Sequence, residues 1–142
     1  MNRHKSVDDG LAKVPLFADL TDKELESVRS LMTETNVPAG TILARQGQTG
    51  HEFFVIVSGT ASVDRDGEHV ADVGPGDFLG EMSLLDGGPR NAEVSASTEM
   101  TLMVVSQRDF SQLLDTAPII ARRMLPTLVK RLRAGAAVHH TH

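Results

Sequence analysis

Between Thr41 and Val105 the chain breaks into short apolar runs, each closed by a turn, and this punctuation commits it to a sheet-rich fold. Pro38-Ala39-Gly40 is a turn, Thr41-Ile42-Leu43-Ala44 is a strand candidate, and Gln46-Gly47-Gln48-Thr49-Gly50 is a loop. Phe53-Phe54-Val55-Ile56-Val57 is a β-rich apolar run that closes at Ser58-Gly59. Ala61, Val63 and Arg65 then alternate with Ser62 and Asp64, the period of a strand with one buried face. Asp66-Gly67 is a two-residue hairpin signal, because glycine tolerates the positive φ that such a turn requires. Val70 and Val73 lie on the returning strand, which Gly74-Pro75-Gly76-Asp77 ends, and Ala92 to Ser97 and Met100 to Val105 supply two more strands. Short strands with turns at regular spacing specify a sandwich or small barrel, here of about eight strands.

Helical signals flank this region. Thr21 and Glu24 form a capping box, which satisfies two orphan backbone donors at once. Leu20 and Leu25 occupy the staple positions, and Leu25, Val28, Leu31 and Met32 follow a helical stripe. Val14-Pro15-Leu16-Phe17, just before, is a short helical turn or extended chain. After the strands, Ser106 and Asp109 open a helix with Phe110, Leu113 and Leu114 on one face. Pro118 opens another at a position where proline is tolerated, with Ile120, Met124, Leu128 and Leu132 as its stripe. Pro126 lies inside that stripe and predicts a kink or break. The expected organisation is a flexible N-terminus over 1–10, one domain over 11–133, and a flexible C-terminus over 134–142.

At 142 residues the chain is long enough to bury a core without staples, and it has no cysteine. Disulfides, thiolate metal sites and thiol nucleophiles are therefore excluded. No apolar run approaches the ~18 residues of a membrane helix, and Met1 to Gly10 lacks the apolar core of a signal peptide, so a cytoplasmic chain is expected. Charge is divided unevenly. Residues 1–115 hold nine basic and nineteen acidic side chains, a balance of −10, whereas residues 116–142 hold Arg122, Arg123, Lys130, Arg131 and Arg133, a balance of +5. An acidic body is a poor binder of nucleic acid, whose phosphates supply most non-specific affinity. The basic tail suits a phosphate, an acidic partner, its own body, or simply a solvated helix face.

The segment from Gly76 to Val94 carries the chemistry. Gly80 lets a ligand approach the backbone closely. Glu81 to Leu85 is long enough for one helical turn, whose free amides favour an anion. Asp86-Gly87-Gly88-Pro89 turns the chain back, and Arg90 arrives beside the helix start, where a guanidinium would bind a phosphate bidentately. An ionised Glu81 is acceptor-only, so it suits a sugar hydroxyl rather than a phosphate. Together these residues describe a pocket for a phosphorylated ribose. Taken singly, each has a plainer reading: Arg90 as a surface arginine paired with Glu93 or Asp86, and Glu81 as an acid favoured by the helix dipole.

The stretch F-L-G-E-M-S-L-L-D-G-G-P-R-N-A-E-V, residues 78–94, resembles the phosphate-binding cassette of cyclic nucleotide-binding domains. That cassette has the form F-G-E-(hydrophobic)-A-L, a short gap, then P-R-(T/S/A)-A. The likeness covers nearly the whole chain. Val14-Pro15-Leu16-Phe17 is similar to the family's N-terminal helical signature, Pro38 to Gly47 to its early strands, and Phe53 to Gly59 to its F-x-I-x-x-G strand. Within the family the chain resembles the domain at the end of a bacterial cyclic-nucleotide-gated potassium channel more than kinase regulatory subunits or catabolite-activator-type regulators.

The resemblance implies an eight-stranded antiparallel β-roll, or jelly roll, with an N-terminal helix and two C-terminal helices. It implies a ligand, cAMP or cGMP, and no further cofactor. Arg90 would pair with the cyclic phosphate, and Glu81 would accept from the ribose 2′-hydroxyl beside the Gly80 backbone. Amides of Met82 and Ala92 would complete the phosphate cradle, and Leu79, Val70 and Val73 would line the apolar side. Ser83 stands where the family has alanine. Asn91 stands where it has Ala, Ser or Thr, and either reads the base through its carbonyl oxygen or stabilises the turn; the turn reading favours cAMP. The family's last helix closes over the base. With no Trp or Tyr in the chain, Arg131 aligns with the arginine that stacks there, with Arg123 and Arg122 as fallbacks. Leu84 would shift with the cassette and push on Phe110.

The sequence leaves other classes open. A cupin-type metal enzyme shares a small barrel but needs two histidines and a carboxylate on neighbouring strands. Here His51 and His69 are isolated, and His139, His140 and His142 lie at the terminus. No nucleophile with a positioned base is evident, so catalysis is not expected. A transcription regulator needs a helix-turn-helix, for which Arg133 to His142 is too short, so no DNA contact is expected. A stand-alone sensor with a protein effector, a regulatory fragment of a longer channel or regulator, and a nucleotide-free interaction module are the remaining readings.

Overall fold

The computed structural model describes residues 10–140, with side chains as far as Ala134. Most of the N-terminal segment predicted to be flexible, and the last two residues, lie outside the described residues. A helical turn α1 includes residues 10–13, and a 3-10 helix follows over Pro15–Phe17. Helix α2 spans Asp22–Arg29 and starts as predicted: the Thr21 side chain accepts from the Glu24 amide, and the Glu24 side chain accepts from the Thr21 amide.

Eight strands follow: β1 Thr33–Val37, β2 Ile42–Ala44, β3 Glu52–Ser58, β4 Ala61–Arg65, β5 Glu68–Val73, β6 Phe78–Leu79, β7 Glu93–Ala96 and β8 Met100–Ser106. They form two four-stranded antiparallel sheets, ordered β1-β8-β3-β6 and β2-β7-β4-β5. This is the predicted eight-stranded roll. Strand β1 is an addition to the strands expected from the sequence, since TETNV shows almost no apolar alternation. Pairing supplies what composition lacks: Thr33 to Val37 run in unbroken register against Val104 to Met100. The β4–β5 hairpin turns through Asp66 and Gly67 at φ 55° and 81°, as the dipeptide requires.

Strand β3 explains why its sequence is apolar throughout. Phe53 and Val55 face one core, shared with the helices; Phe54 and Ile56 face a second, inside the roll. Phe53 meets Phe110 at 4.9 Å and Phe78 at 5.8 Å between ring centroids, separations at which tilted aromatic pairs attract. The second core holds Leu79, Val94, Ala96, Met100 and Leu102.

Helix α3 covers Glu81–Asp86 between β6 and β7. Helix α4, Gln107–Thr116, starts at Ser106, whose hydroxyl accepts from the Asp109 amide at 3.1 Å. Helix α5 runs Pro118–His140. It continues through Pro126, so of the kink or break expected there, the break does not occur. Pro126 and Arg122 are both exposed, so the carbonyl that loses its helical donor is free to meet water. Ile120 and Met124 are buried and Leu128 packs against the helical core, but Leu132 is 56% exposed. The apolar stripe thus leaves the core after Leu128, and the helix passes on toward the open side of the roll. The domain boundary expected at residue 133 falls inside this helix. Among the described residues, no helix is long and apolar enough to cross a membrane.

Candidate functional site

The chain leaves β6 through Gly80, which adopts φ 92°, in the left-handed region that glycine occupies without strain. A side chain there would also overlap the Glu52 carbonyl and Nη1 of Arg90. This turn places Glu81 at the first position of α3, only 2% exposed. Its carboxylate accepts from the Met82 amide at 3.2 Å and from the Arg131 guanidinium. Burial pushes the Glu81 carboxyl above its ordinary pKa; Arg131, then backbone amides and Arg90, pull it back. Ser83, also buried, accepts through its carbonyl from the Gly87 amide at 2.9 Å, and the Gly88 amide donates to Asp86 Oδ1 at 2.8 Å. These bonds reverse the chain and deliver Arg90.

The backbone of Arg90 is tied to the loop before β3. Its amide donates to the Gln48 carbonyl, and its carbonyl accepts from the Gly47 amide, both at 2.8 Å. The guanidinium Nη2 donates to the Glu52 carbonyl at 2.8 Å. Nη1 is buried and has no partner among the described residues. Burial lowers the pKa of Arg90, while Glu52 and Glu81 raise it. Neither carboxylate suggested as its surface partner is used: Asp86 holds the Gly88 amide, and Glu93 faces Arg45 at 3.9 Å. A buried cationic donor aimed at nothing is costly unless an anion completes it.

Above these groups lies a cavity of about 370 Å³. Val63, Val70, Val73 and Leu79 supply its apolar walls; Met82, Asn91 and Ala92 border the Arg90 side. Helix α5 contributes Thr127, Lys130, Arg131 and Ala134, one face over successive turns. Arg131 crosses the mouth. Besides Glu81, it donates to the Phe78 carbonyl at 2.7 Å, and its Cζ stands 4.7 Å from the Phe78 ring centroid.

The structure therefore gathers Leu79, Gly80, Glu81, Met82, Ser83, Arg90, Asn91, Ala92, Val70, Val73 and Arg131 around one cavity. It does not bring Arg123 there. The Arg123 guanidinium pairs with Asp19 away from the lining, which corrects its candidacy as a lid; Arg122 is exposed and also outside the lining. Sequence reasoning missed Arg65, whose Nε donates to the Asn91 carbonyl at 3.1 Å at the cavity edge. Its signal was present, since Arg65 alternates in phase with Ala61 and Val63. It also missed Thr127 and Lys130, which share the helical spacing of Arg131. Among the described residues, no group of three or more His, Asp or Glu side chains comes together to hold a metal ion.

Comparison with known proteins places this geometry in a family. The profile of the cyclic nucleotide-binding domain matches residues 34–117. A cyclic nucleotide-gated potassium channel of Mesorhizobium japonicum is 40% identical over 128 residues, covering 89% of this chain and 35% of the channel. A cAMP-dependent protein kinase regulatory subunit of Yarrowia lipolytica is 34% identical, covering 80% of this chain and 31% of that protein. Among solved structures, the catabolite activator protein of Thermus thermophilus superposes with a TM-score of 0.77 at 30% identity, covering 89% of this chain and 62% of that one. The chain spans about a third of the length of the channel and kinase relatives. With the roll, the cassette turn and the buried arginine in agreement, the chain belongs to the cyclic nucleotide-binding domain family.

Proposed function

We propose that this chain binds a cyclic nucleotide in the cavity under α5 and acts as a regulatory sensor, with cAMP preferred over cGMP. The observation that carries the reading is the buried, unpartnered Nη1 of Arg90, which a cyclic phosphate would complete. Glu81, acceptor-only when ionised, takes the ribose 2′-hydroxyl. The Met82 and Ala92 amides approach the phosphate, and the valine wall with Leu79 receives the sugar and base. Arg131 lies beside the base, where a guanidinium plane stacks well. A cavity of about 370 Å³ with apolar walls and few polar groups has the character of a small-molecule site.

Asn91 supports the cAMP preference. It is exposed, and its backbone carbonyl accepts from Arg65 Nε, which ties the residue into the turn. Residues 11–133 form the binding domain in this reading, working in the cytoplasm without catalysis. A protein effector, attached or separate, reads the position of α5.

Isothermal titration with cAMP and cGMP tests this, with 5′-AMP as the open-phosphate control. Tight binding of a cyclic nucleotide is expected. Truncating one partner of a buried charged hydrogen bond costs roughly 2–5 kcal/mol. Arg90→Ala should then weaken binding by about one and a half to three and a half decades. No heat with any of the three, and no rise in melting temperature, would leave a fold kept for protein contacts.

A further inference from the structure

We propose that Gly50 is a positioning residue for the Arg90 guanidinium, and that its missing side chain is the seat on which the phosphate-binding group is held. The inference rests on the reading of Arg90 as the phosphate ligand. Gly50 is buried and ends the loop whose carbonyl at Gln48 and amide at Gly47 grip the backbone of residue 90. A Cβ at position 50 would overlap Nε and Cζ of Arg90 and lie 2.6 Å from Nη2. On another side, a Cβ at Gly80 would overlap Nη1 and lie 3.3 Å from Cζ. The guanidinium is thus seated against two backbone segments that carry no side chain, with Nη2 fixed on the Glu52 carbonyl. Nη1, buried and without a partner among the described residues, is left to face a ligand.

The two glycines differ in what a substitution would disturb. Gly80 has positive φ, and a Cβ there also strikes the Glu52 carbonyl, so any replacement strains the fold. Gly50 lies outside the left-handed region, and the three nearest atoms to its added Cβ all belong to the far end of the Arg90 side chain. Gly50→Ala is therefore accommodated by swinging the guanidinium out of its seat. The backbone stays, and the phosphate group loses its prepared partner.

The test uses the full chain. The Arg90 Nε–H resonance in proton–nitrogen NMR spectra is assigned by its loss in Arg90→Ala. In Gly50→Ala without ligand it is expected to move toward the solvent-exposed arginine position, while amide signals of β1, β8 and α4 stay in place. Affinity for cyclic nucleotide is expected to fall at least about tenfold, toward but not beyond the loss in Arg90→Ala. An unmoved Nε–H resonance, or wild-type affinity in Gly50→Ala, overturns the proposal. So does a collapse of the whole amide spectrum, which would make Gly50 a folding residue. If the resonance moves but the wild-type chain binds no cyclic nucleotide, the seat stands as geometry, while the phosphate role given to it falls with the proposed function.

Discussion

The guanidinium of Arg131, on α5, rests on the carboxylate of Glu81, at the start of α3, fifty residues earlier in the chain. One end of this pair is 2% exposed, and the arginine side chain 26%. The contact joins the cassette to the last helix directly, and it has a consequence for binding. Arg131 is the largest influence holding Glu81 toward its ionised form against burial. In Arg131→Ala, Glu81 will take up a proton at a higher pH than in the wild type. A protonated carboxyl is a poorer acceptor for a ribose hydroxyl. Cyclic nucleotide affinity in the variant should therefore be weaker at neutral pH and fall more steeply as pH decreases, which titrations at several pH values would read. Parallel pH profiles for the two proteins would remove Glu81 ionisation from the binding step.

The same shift makes a statement about stability. A carboxyl whose pKa is raised on folding binds more protons in the native state than in the unfolded one over the interval between the two values. Stability then declines as pH rises from the ordinary Glu value, 4.5, through the raised one. Glu81→Gln removes this contribution while leaving the other carboxylates in place. The difference in melting temperature between variant and wild type should therefore grow in the variant's favour as pH rises through that interval. A constant difference would mean that Arg131 and the Met82 amide fully offset the burial of the charge.

Arg90 should show binding and stability pulling in opposite directions. Its guanidinium is mostly removed from water, and only one of its terminal nitrogens is bonded. Burying a charge that is not fully bonded is costly, so an apolar side chain in its place removes a desolvation penalty that little repays. Arg90→Leu is expected to melt at or above the wild-type temperature without ligand, and to lose the rise in melting temperature that cyclic nucleotide gives the wild type. A large drop in the ligand-free melting temperature would instead assign Arg90 a structural role.

The core shared by strands and helices should be the least tolerant part of the molecule. Phe53 is fully buried and its ring touches both Phe78, the first residue of the cassette, and Phe110, on α4. Phe→Ala at such a site costs about 3–5 kcal/mol, from lost burial plus the cavity left behind. Denaturant unfolding of Phe53→Ala should show that loss as a lower midpoint at nearly unchanged slope.

Which parts could be read from the sequence follows from where the physics is local. The Thr21–Glu24 box, the Asp66-Gly67 turn and the Ser106 cap depend on neighbours within three residues, and all are where the spacing put them. Strand β1 was missed because its stability comes from pairing with β8, more than sixty positions away. Arg90 and Glu81 were legible through the cassette motif, whereas the unbonded Nη1 and the Gly50 seat required coordinates. Arg123 was misplaced because its choice of Asp19 depends on how α5 lies across the N-terminal segment, which no periodicity encodes. The uninterrupted helix at Pro126 has the same origin, since the sequence does not say which side of α5 faces water.

The course of α5 leads to the last prediction. Up to Leu128 the helix is anchored by Ile120 and Met124 in the helical core; beyond it, Lys130, Arg131 and Ala134 line the cavity. Leu84, on α3, packs against the core that contains Phe110, so movement of the cassette is felt at α4. A ligand shifts such an arrangement only by its differential affinity for the two positions. A swing from 1:99 to 99:1 needs about 5.5 kcal/mol, within reach of a phosphate on Arg90 and a base under Arg131 if both contacts form only in the closed position. Amide chemical shifts over residues 106–133 should therefore change on adding cyclic nucleotide, most strongly after Leu128, and Leu84→Ala should reduce the changes in α4 more than those around Arg90. Unchanged shifts throughout 106–133, with binding intact, would leave a receptor whose last helix is a fixed roof, and the signal would have to leave through another face of the roll.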